Sequence, residues 1–392
     1  DQFSEAKSEV QALAEDLRGN LWVGSFGGGL FKLDELTSKS ALFINDPDVE
    51  TSLSNDYVYS LFYDDSGIMW IGTYGGGINM IDLAKIRFDY LAKEQDNPNS
   101  LPSNDVYSIL PTQEEVWLGT ENGLSLWNTQ REAFHNLRNS SDPYSLSGNS
   151  VYCQLEDHSG NVWVGTANHG LNRLDAEDRV SGNYRFTHFN SAENDPRRLI
   201  ADEVLCLHLA SNSDIWVGTL HGISVIRNDT ITTHFTNDPA DSTTLSDNEV
   251  YSIFSDNAGQ MWIGTFSGLC RFNPADSSFI SYDDLLGSEQ VNSIYCLFQD
   301  SNGFLWAGTD NSGLIKVDPR TGKMIKRYTK ADQLPDNVIY GILEDEDKNL
   351  WLSSNNGITK AIQQSGSDNL TFIHFNTTNW LKTDSYNIGA FA

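Results

Sequence analysis

Trp70-Ile71-Gly72-Thr73 is one of eight copies of a Trp-x-Gly-Thr pattern or a near match to it, with the tryptophans at 22, 70, 117, 163, 216, 262, 306 and 351. The intervals are 48, 47, 46, 53, 46, 44 and 45 residues. That is the size of a supersecondary unit that cannot bury its own faces and needs neighbours to do so. A repeat running over almost the whole of 1–392 therefore argues for one architecture, not for two or three unrelated domains. Eight of the ten tryptophans are expected to be packing residues first.

One repeat reads as four short strands, A to D. In the second copy these are Val58-Tyr59-Ser60-Leu61, Met69-Trp70-Ile71-Gly72-Thr73, Ile78-Asn79-Met80-Ile81 and Phe88-Asp89-Tyr90, separated by Asp, Asn and Gly clusters. No window keeps a 3.6-residue period. The residue opening strand A stands twelve positions before Trp at Val10, Val58, Val151, Val204, Val250, Ile294 and Ile339, and eleven before it at Val106. So constant a spacing implies one A–B hairpin. Its turn reads Asp-x-x-Gly-x-x-Trp from Asp16, Asp64, Asp157, Asp256 and Asp300, where Asp bonds backbone amides and Gly supplies positive φ. A calcium loop would need further spaced acids that are missing. After Trp, a Gly followed by Leu or Ile closes the B–C turn in every copy, and no Gly-Lys-Ser/Thr follows to make it a phosphate loop. Four-stranded units of this size, eight times over, predict an all-β fold, a β-propeller whose blades are buried on both faces. The units lie near 10–45, 56–92, 104–138, 149–190, 202–237, 248–283, 292–329 and 337–376.

Composition narrows the partners. With 54 acidic and 25 basic side chains the formal charge is −29, which repels phosphate backbones and anionic membranes, so nucleic acid is not an expected partner. No apolar stretch is long enough to span a bilayer, and no direct membrane insertion is expected of this segment. The chain opens on Asp1, and Ser385-Tyr386-Asn387-Ile388-Gly389-Ala390 reads as the start of a further strand or unit in 377–392. We therefore expect a piece of a longer protein.

The combined pattern closely resembles the two-component regulator propeller repeats. It is carried by Ser145 to Leu155, Glu156 to Thr166 and Gly170 to Asp175, with copies elsewhere from residue 10 to about 376. The resemblance implies an extracytoplasmic, periplasmic sensor region of a bacterial hybrid histidine kinase or diguanylate cyclase. Such a sensor would bind a small molecule, often a carbohydrate breakdown product, and signal to an output domain outside this chain. Related proteins usually carry two stacked seven-bladed rings. Because all eight copies here keep both landmarks, a single eight-bladed ring is read ahead of a seven-bladed ring with a surplus unit. Lys348 in place of the turn Gly, Ser353 after Trp351 and Pro111 in a shortened third unit depart from the pattern.

Aligned on Trp, most reactive residues become repeat positions. Cys153, Cys206 and Cys296 occupy a site that is Ala, Ser or Gly in other units, so free, enclosed thiols are expected, with no disulfide. The Tyr before that site (59, 107, 152, 251, 295 and 340) is expected to pack between blades with its hydroxyl bonded, ahead of lining a channel. His188, His234 and His374 precede Phe in strand D and read as structural.

What does not repeat lies at the B–C tips and in the long D–A segments such as 45–55, 93–104 and 237–248, which a propeller brings to one face. The tips offer Phe26, Tyr74, Glu121, Asn122, Asn168, His169, His221, Phe266, Asp310, Asn311, Asn355 and Asn356 as candidate ligand contacts. Aromatic faces beside amides and carboxylates suit the rings and hydroxyls of an oligosaccharide. No convergent catalytic set, metal site or cofactor motif is evident, and a non-enzymatic binding module is expected. The alternatives are a propeller lyase or hydrolase using His169 or His221, and a protein-interaction scaffold.

Overall fold

The computed structural model describes residues 9–16, 19–33, 40–47, 49, 52–64, 67–83, 91–112, 115–128, 133–192, 198–282, 293–363 and 368–376. The chain divides into two compact parts, Asp1–Asp89 with Ile373–Phe375, and Tyr90–Phe372 with Asn376–Ala392. Among the described residues there are seven four-stranded antiparallel sheets and one three-stranded sheet, each with its strands in sequence order. These are eight propeller blades, one per Trp repeat. The three-stranded sheet belongs to blade 2, whose expected fourth strand at 88–90 lies outside the described residues, as does 377–392. Among the described residues helix is confined to Ala176–Ser181 and a single 3-10 turn, Lys330–Asp332. Both are too short to leave a period in the sequence.

The Asp of the A–B turn does more than the sequence reading assigned to it. In blade 7, Asp300 Oδ1 accepts the backbone N–H of Asn302 and Phe304 at 3.0 and 2.9 Å, while Oδ2 accepts Trp306 Nε1–H at 2.9 Å. The same indole bond joins Asp16 to Trp22, Asp64 to Trp70, Asp157 to Trp163, Asp256 to Trp262 and Asp345 to Trp351, at 2.6 to 3.0 Å. Its two oxygens thus tie the turn to the strand B tryptophan. On the strand C side, Trp22, Trp163, Trp262, Trp306 and Trp351 pair with Lys32, Arg173, Arg271, Lys316 and Lys360, whose cations stand 5.1 to 5.7 Å from the ring centres. Blade 3 has Leu126 there, and Arg179 from the helix of blade 4 covers Trp117 instead, at 5.2 Å.

The rest of the motif joins and closes blades. A Cβ on Gly264 would stand 2.7 Å from the Ile294 carbonyl oxygen of the next blade, so only Gly permits that approach. Blade 8 has Ser353 there, and its buried hydroxyl has no partner among the described residues. The Thr Oγ1 bonds the carbonyl of the B–C glycine, as in Thr265 to Gly268 at 3.1 Å and Thr309 to Gly313 at 2.9 Å. Apolar clusters then bridge neighbours, such as Trp163, Leu171 and Phe189 of blade 4 with Val204, Val217 and Ile226 of blade 5.

Removing Asp300, which is fully buried, leaves an indole and two amide N–H groups without their acceptor. Asp300→Ala should cost about 2–4 kcal/mol, read as a lower denaturation midpoint, and an unchanged midpoint would show that the turn clamp contributes nothing. Burial raises the Asp345 pKa, but Lys360 and the N–H groups of Asn349 and Trp351 outweigh it and hold the carboxyl at about 2. A depressed folded pKa gives stability that is complete above the unfolded value near 4 and is lost as pH falls toward about 2. That loss, up to about 2 kcal/mol, should be smaller in Asp345→Asn when melting temperature is followed between pH 5 and 2.

Candidate functional site

The D–A segments and B–C tips meet on one face of the blades, as the repeat spacing implies. Phe266 N–H donates to Glu249 O, and Asp310 N–H to Ser293 O. In four D–A segments a side chain eleven residues on pins the backbone, as when Asn237 N–H donates to Asn248 Oδ1 at 2.7 Å. The spacing is ten from Asn139 to Asn149 and seven from Lys330 to Asn337, and buried leucines such as Leu245 add a second anchor. Loops braced in this way hold their tip residues in fixed places.

In the second part, the 237–246 segment, Phe266 and Asp310 surround a hollow of about 790 Å³. Phe266 is 51% exposed. Asp238 and Asp241 supply acceptors, and Ser242, Thr244, Ser246 and Ser293 add hydroxyls. Burial raises the pKa of the Asp310 carboxyl, and its enclosed Oδ1 accepts no hydrogen bond among the described residues. Phe266 and Asp310 are thus two of the expected residues that the fold brings together, with the 237–248 segment as their third wall.

The first part carries a different surface. Phe26 stands edge-on to Tyr57 at 4.8 Å and to Tyr59 at 6.1 Å, and Tyr59 contacts Tyr74 at 5.7 Å. All four rings are substantially exposed. Tyr57 was not among the candidates because it precedes strand A. Its signal was an aromatic directly before the residue that opens the strand, found in this unit alone.

Other candidates are separate. Asn122 and Asn356 are loop props, their amides reaching Pro102 O and Pro335 O at 3.5 Å. Asn355 accepts Tyr340 Oη–H at 2.9 Å. Glu121, Asn168, Asn311 and His221 are exposed tips, and His169 lies against Gly148. Among the described residues no three His, Cys, Asp or Glu side chains are grouped to hold a metal.

The tyrosine expectation needs correction. Tyr152, Tyr251 and Tyr295 line a cavity of about 250 Å³ between the A strands of blades 3 to 7, together with Cys153, Cys206 and Cys296. Register explains it. Strand A slips by one residue at Val151/Cys153, Val250/Ser252 and Ile294/Cys296, so Tyr is the extra residue of a bulge and leaves the sheet face. Blade-to-blade contact survives, with Tyr251–Tyr295 at 5.2 Å and Tyr295–Tyr340 at 5.7 Å. The hydroxyl is bonded in Tyr251, to Glu249 at 2.8 Å. None of the four cysteines is in a disulfide, and burial pushes the Cys206 and Cys296 thiols up to about 12. Among the histidines, His188 Nε2 bonds Ser145 O at 2.7 Å and His234 Nδ1 bonds Ser224 Oγ at 3.1 Å.

Five segments, 52–75, 145–168, 244–267, 288–311 and 333–356, match the family model described as two component regulator propeller. Each runs from a D–A segment through the Trp to a B–C tip. The chain is similar to the extracellular domain of BT3049 from B. thetaiotaomicron, described as a hybrid two component system, with 26% identity, a TM-score of 0.63, and coverage of 97% of this chain and 48% of that one. The extracellular domain of BT4673 from the same organism shares the fold at 21% identity and a TM-score of 0.57, covering 96% and 49%. This chain thus spans about half the length of either. PorZ of Porphyromonas gingivalis shares the fold at 13% identity and a TM-score of 0.50, over 96% of this chain and 67% of that one. No curated protein matches the sequence. Five of the eight blades thus carry segments that match the two component regulator propeller repeat.

Proposed function

We propose that this chain is the extracytoplasmic ligand-sensing region of a bacterial two-component or related signalling protein, that it binds an oligosaccharide without turning it over, and that it signals to a domain outside the sequence. The family match and the likeness to the extracellular domain of BT3049 support the sensor class and the location. Among the described residues no helix is long and apolar enough to cross a membrane.

The observation that carries the ligand class is the hollow of Phe266 and Asp310. A half-exposed aromatic ring offers a flat surface to the C–H face of a pyranose. Beside it stand the acceptor-only carboxylates of Asp238, Asp241 and Asp310, which sugar hydroxyls satisfy as donors. An anionic ligand would meet three like charges there, in a chain of net charge −29. A neutral glycan meets none.

A panel of neutral oligosaccharides screened by thermal shift should raise the melting temperature for at least one member, since a ligand that binds only the folded state stabilises it. Phe266→Ala and Asp310→Ala should each weaken that glycan about tenfold by calorimetry. Tyr74→Ala, on the other part of the chain, should leave the affinity at this hollow unchanged. No stabilisation by any glycan, or full affinity in both hollow variants, would sink the proposal.

A further inference from the structure

Blade 5 has lost both charged groups that surround the strand B tryptophan elsewhere. Where six blades carry the turn aspartate it has Ala210, and where five set a cation opposite the ring it has Val225. The turn itself is kept, because Ala210 N–H donates to Asp214 O at 2.9 Å and Ser213 takes the positive φ of 68°. What is lost is the acceptor for the indole. Trp216 is 5% exposed, and its Nε1–H has no partner among the described residues. Blade 3 lacks the same two groups, but there Arg179 covers Trp117 and the indole nitrogen is enclosed.

In blade 5 the ring instead borders a groove of about 830 Å³ between blades 5 and 6. Ala210, Trp216 and Val225 line it from one blade, and Met261 and Phe272 from the other. Trp216 and Phe272 meet edge to face at 4.9 Å. The charges around the groove are already spoken for. Arg227 holds the two oxygens of Asp214 at 2.8 and 2.5 Å, and Asn212 adds a third bond at 2.8 Å, so this carboxylate is not available to the indole. Arg271 stands over Trp262, on the face of blade 6 turned away from Phe272. The groove thus offers apolar walls and one unmatched donor, with no unpaired cation for a charged ligand. A donor kept off water without an acceptor is unfavourable, and a ligand that brings an acceptor relieves it.

We propose that the groove binds a neutral, flat molecule bearing a carbonyl oxygen, in class an aromatic ketone or amide. Its oxygen accepts from Trp216 Nε1–H, as the turn aspartate does in six other blades, and its ring lies along Val225 and Phe272. The loss of the aspartate and the facing cation together suits this class, since a neutral ligand replaces the acceptor without needing a counter-ion. This site is separate from the Phe266 hollow and does not depend on its ligand.

The test uses the whole chain labelled with 15N at the tryptophan indoles, the Trp216 resonance being assigned by its loss in Trp216→Phe. Acetophenone should shift that resonance saturably, and toluene, which has the ring without the acceptor, should bind about tenfold more weakly. Benzoate should bind no more tightly than acetophenone, because its charge meets no unpaired cation. Ala210→Asp supplies the acceptor from within and should weaken acetophenone about tenfold. Phe272→Ala should weaken it by a similar factor while the other indole resonances stay in place. A non-saturating response to acetophenone, equal affinity for toluene, tighter binding of benzoate, or unchanged affinity in both variants would overturn the assignment.

Discussion

The bond from the turn aspartate to the strand B indole is the constraint on which the blades depend. One carboxylate satisfies both the tight A–B turn and a large buried ring six residues away, so turn geometry and core packing are set by the same side chain. The cation facing that ring across strand C adds a favourable contact, and the Gly two residues after Trp lets the next blade approach. Each letter of the repeat therefore has its own partner: Asp for the indole, Gly for the neighbouring blade, Thr for the B–C turn.

Function sits where these roles are absent. The B–C tips and D–A segments are free to vary because the Thr bond and the pinned loop below them hold the backbone. Phe266 and Asp310 thereby sit on a braced rim beside polar loop residues. Blades 3 and 5 lack the aspartate altogether, and the two outcomes differ. Trp117 is fully enclosed under Arg179 with no partner for its Nε1 among the described residues, whereas Trp216 borders an open groove. Neither blade falls within the segments that match the family model.

The fold was legible in the sequence because a period of about 46 residues and two fixed landmarks leave few ways to arrange the strands. The indole role of the aspartate was not, since Asp-x-x-Gly reads equally well as a local turn and says nothing about a ring beyond it. The tyrosine direction was also hidden: a one-residue bulge reverses the face of a side chain without changing any spacing that a sequence shows. For the site, the tip residues were a useful catalogue, but sequence position does not separate Asn122, which braces a loop, from Asp310, which faces a hollow. The gap in blade 5 was visible as Ala210 among aspartates. It acquired meaning only once the aspartates were seen to hold the indoles.

Hydrogen exchange at the tryptophan indoles tests the central claim most directly, because it reports the clamp blade by blade. Trp163, Trp262 and Trp306, each bonded to its aspartate, should exchange slowly and together, while Trp216 should exchange much faster in the same molecule. Equal protection of Trp216 and the three bonded indoles would contradict the account, since the aspartate would then be incidental to how the blades hold their cores.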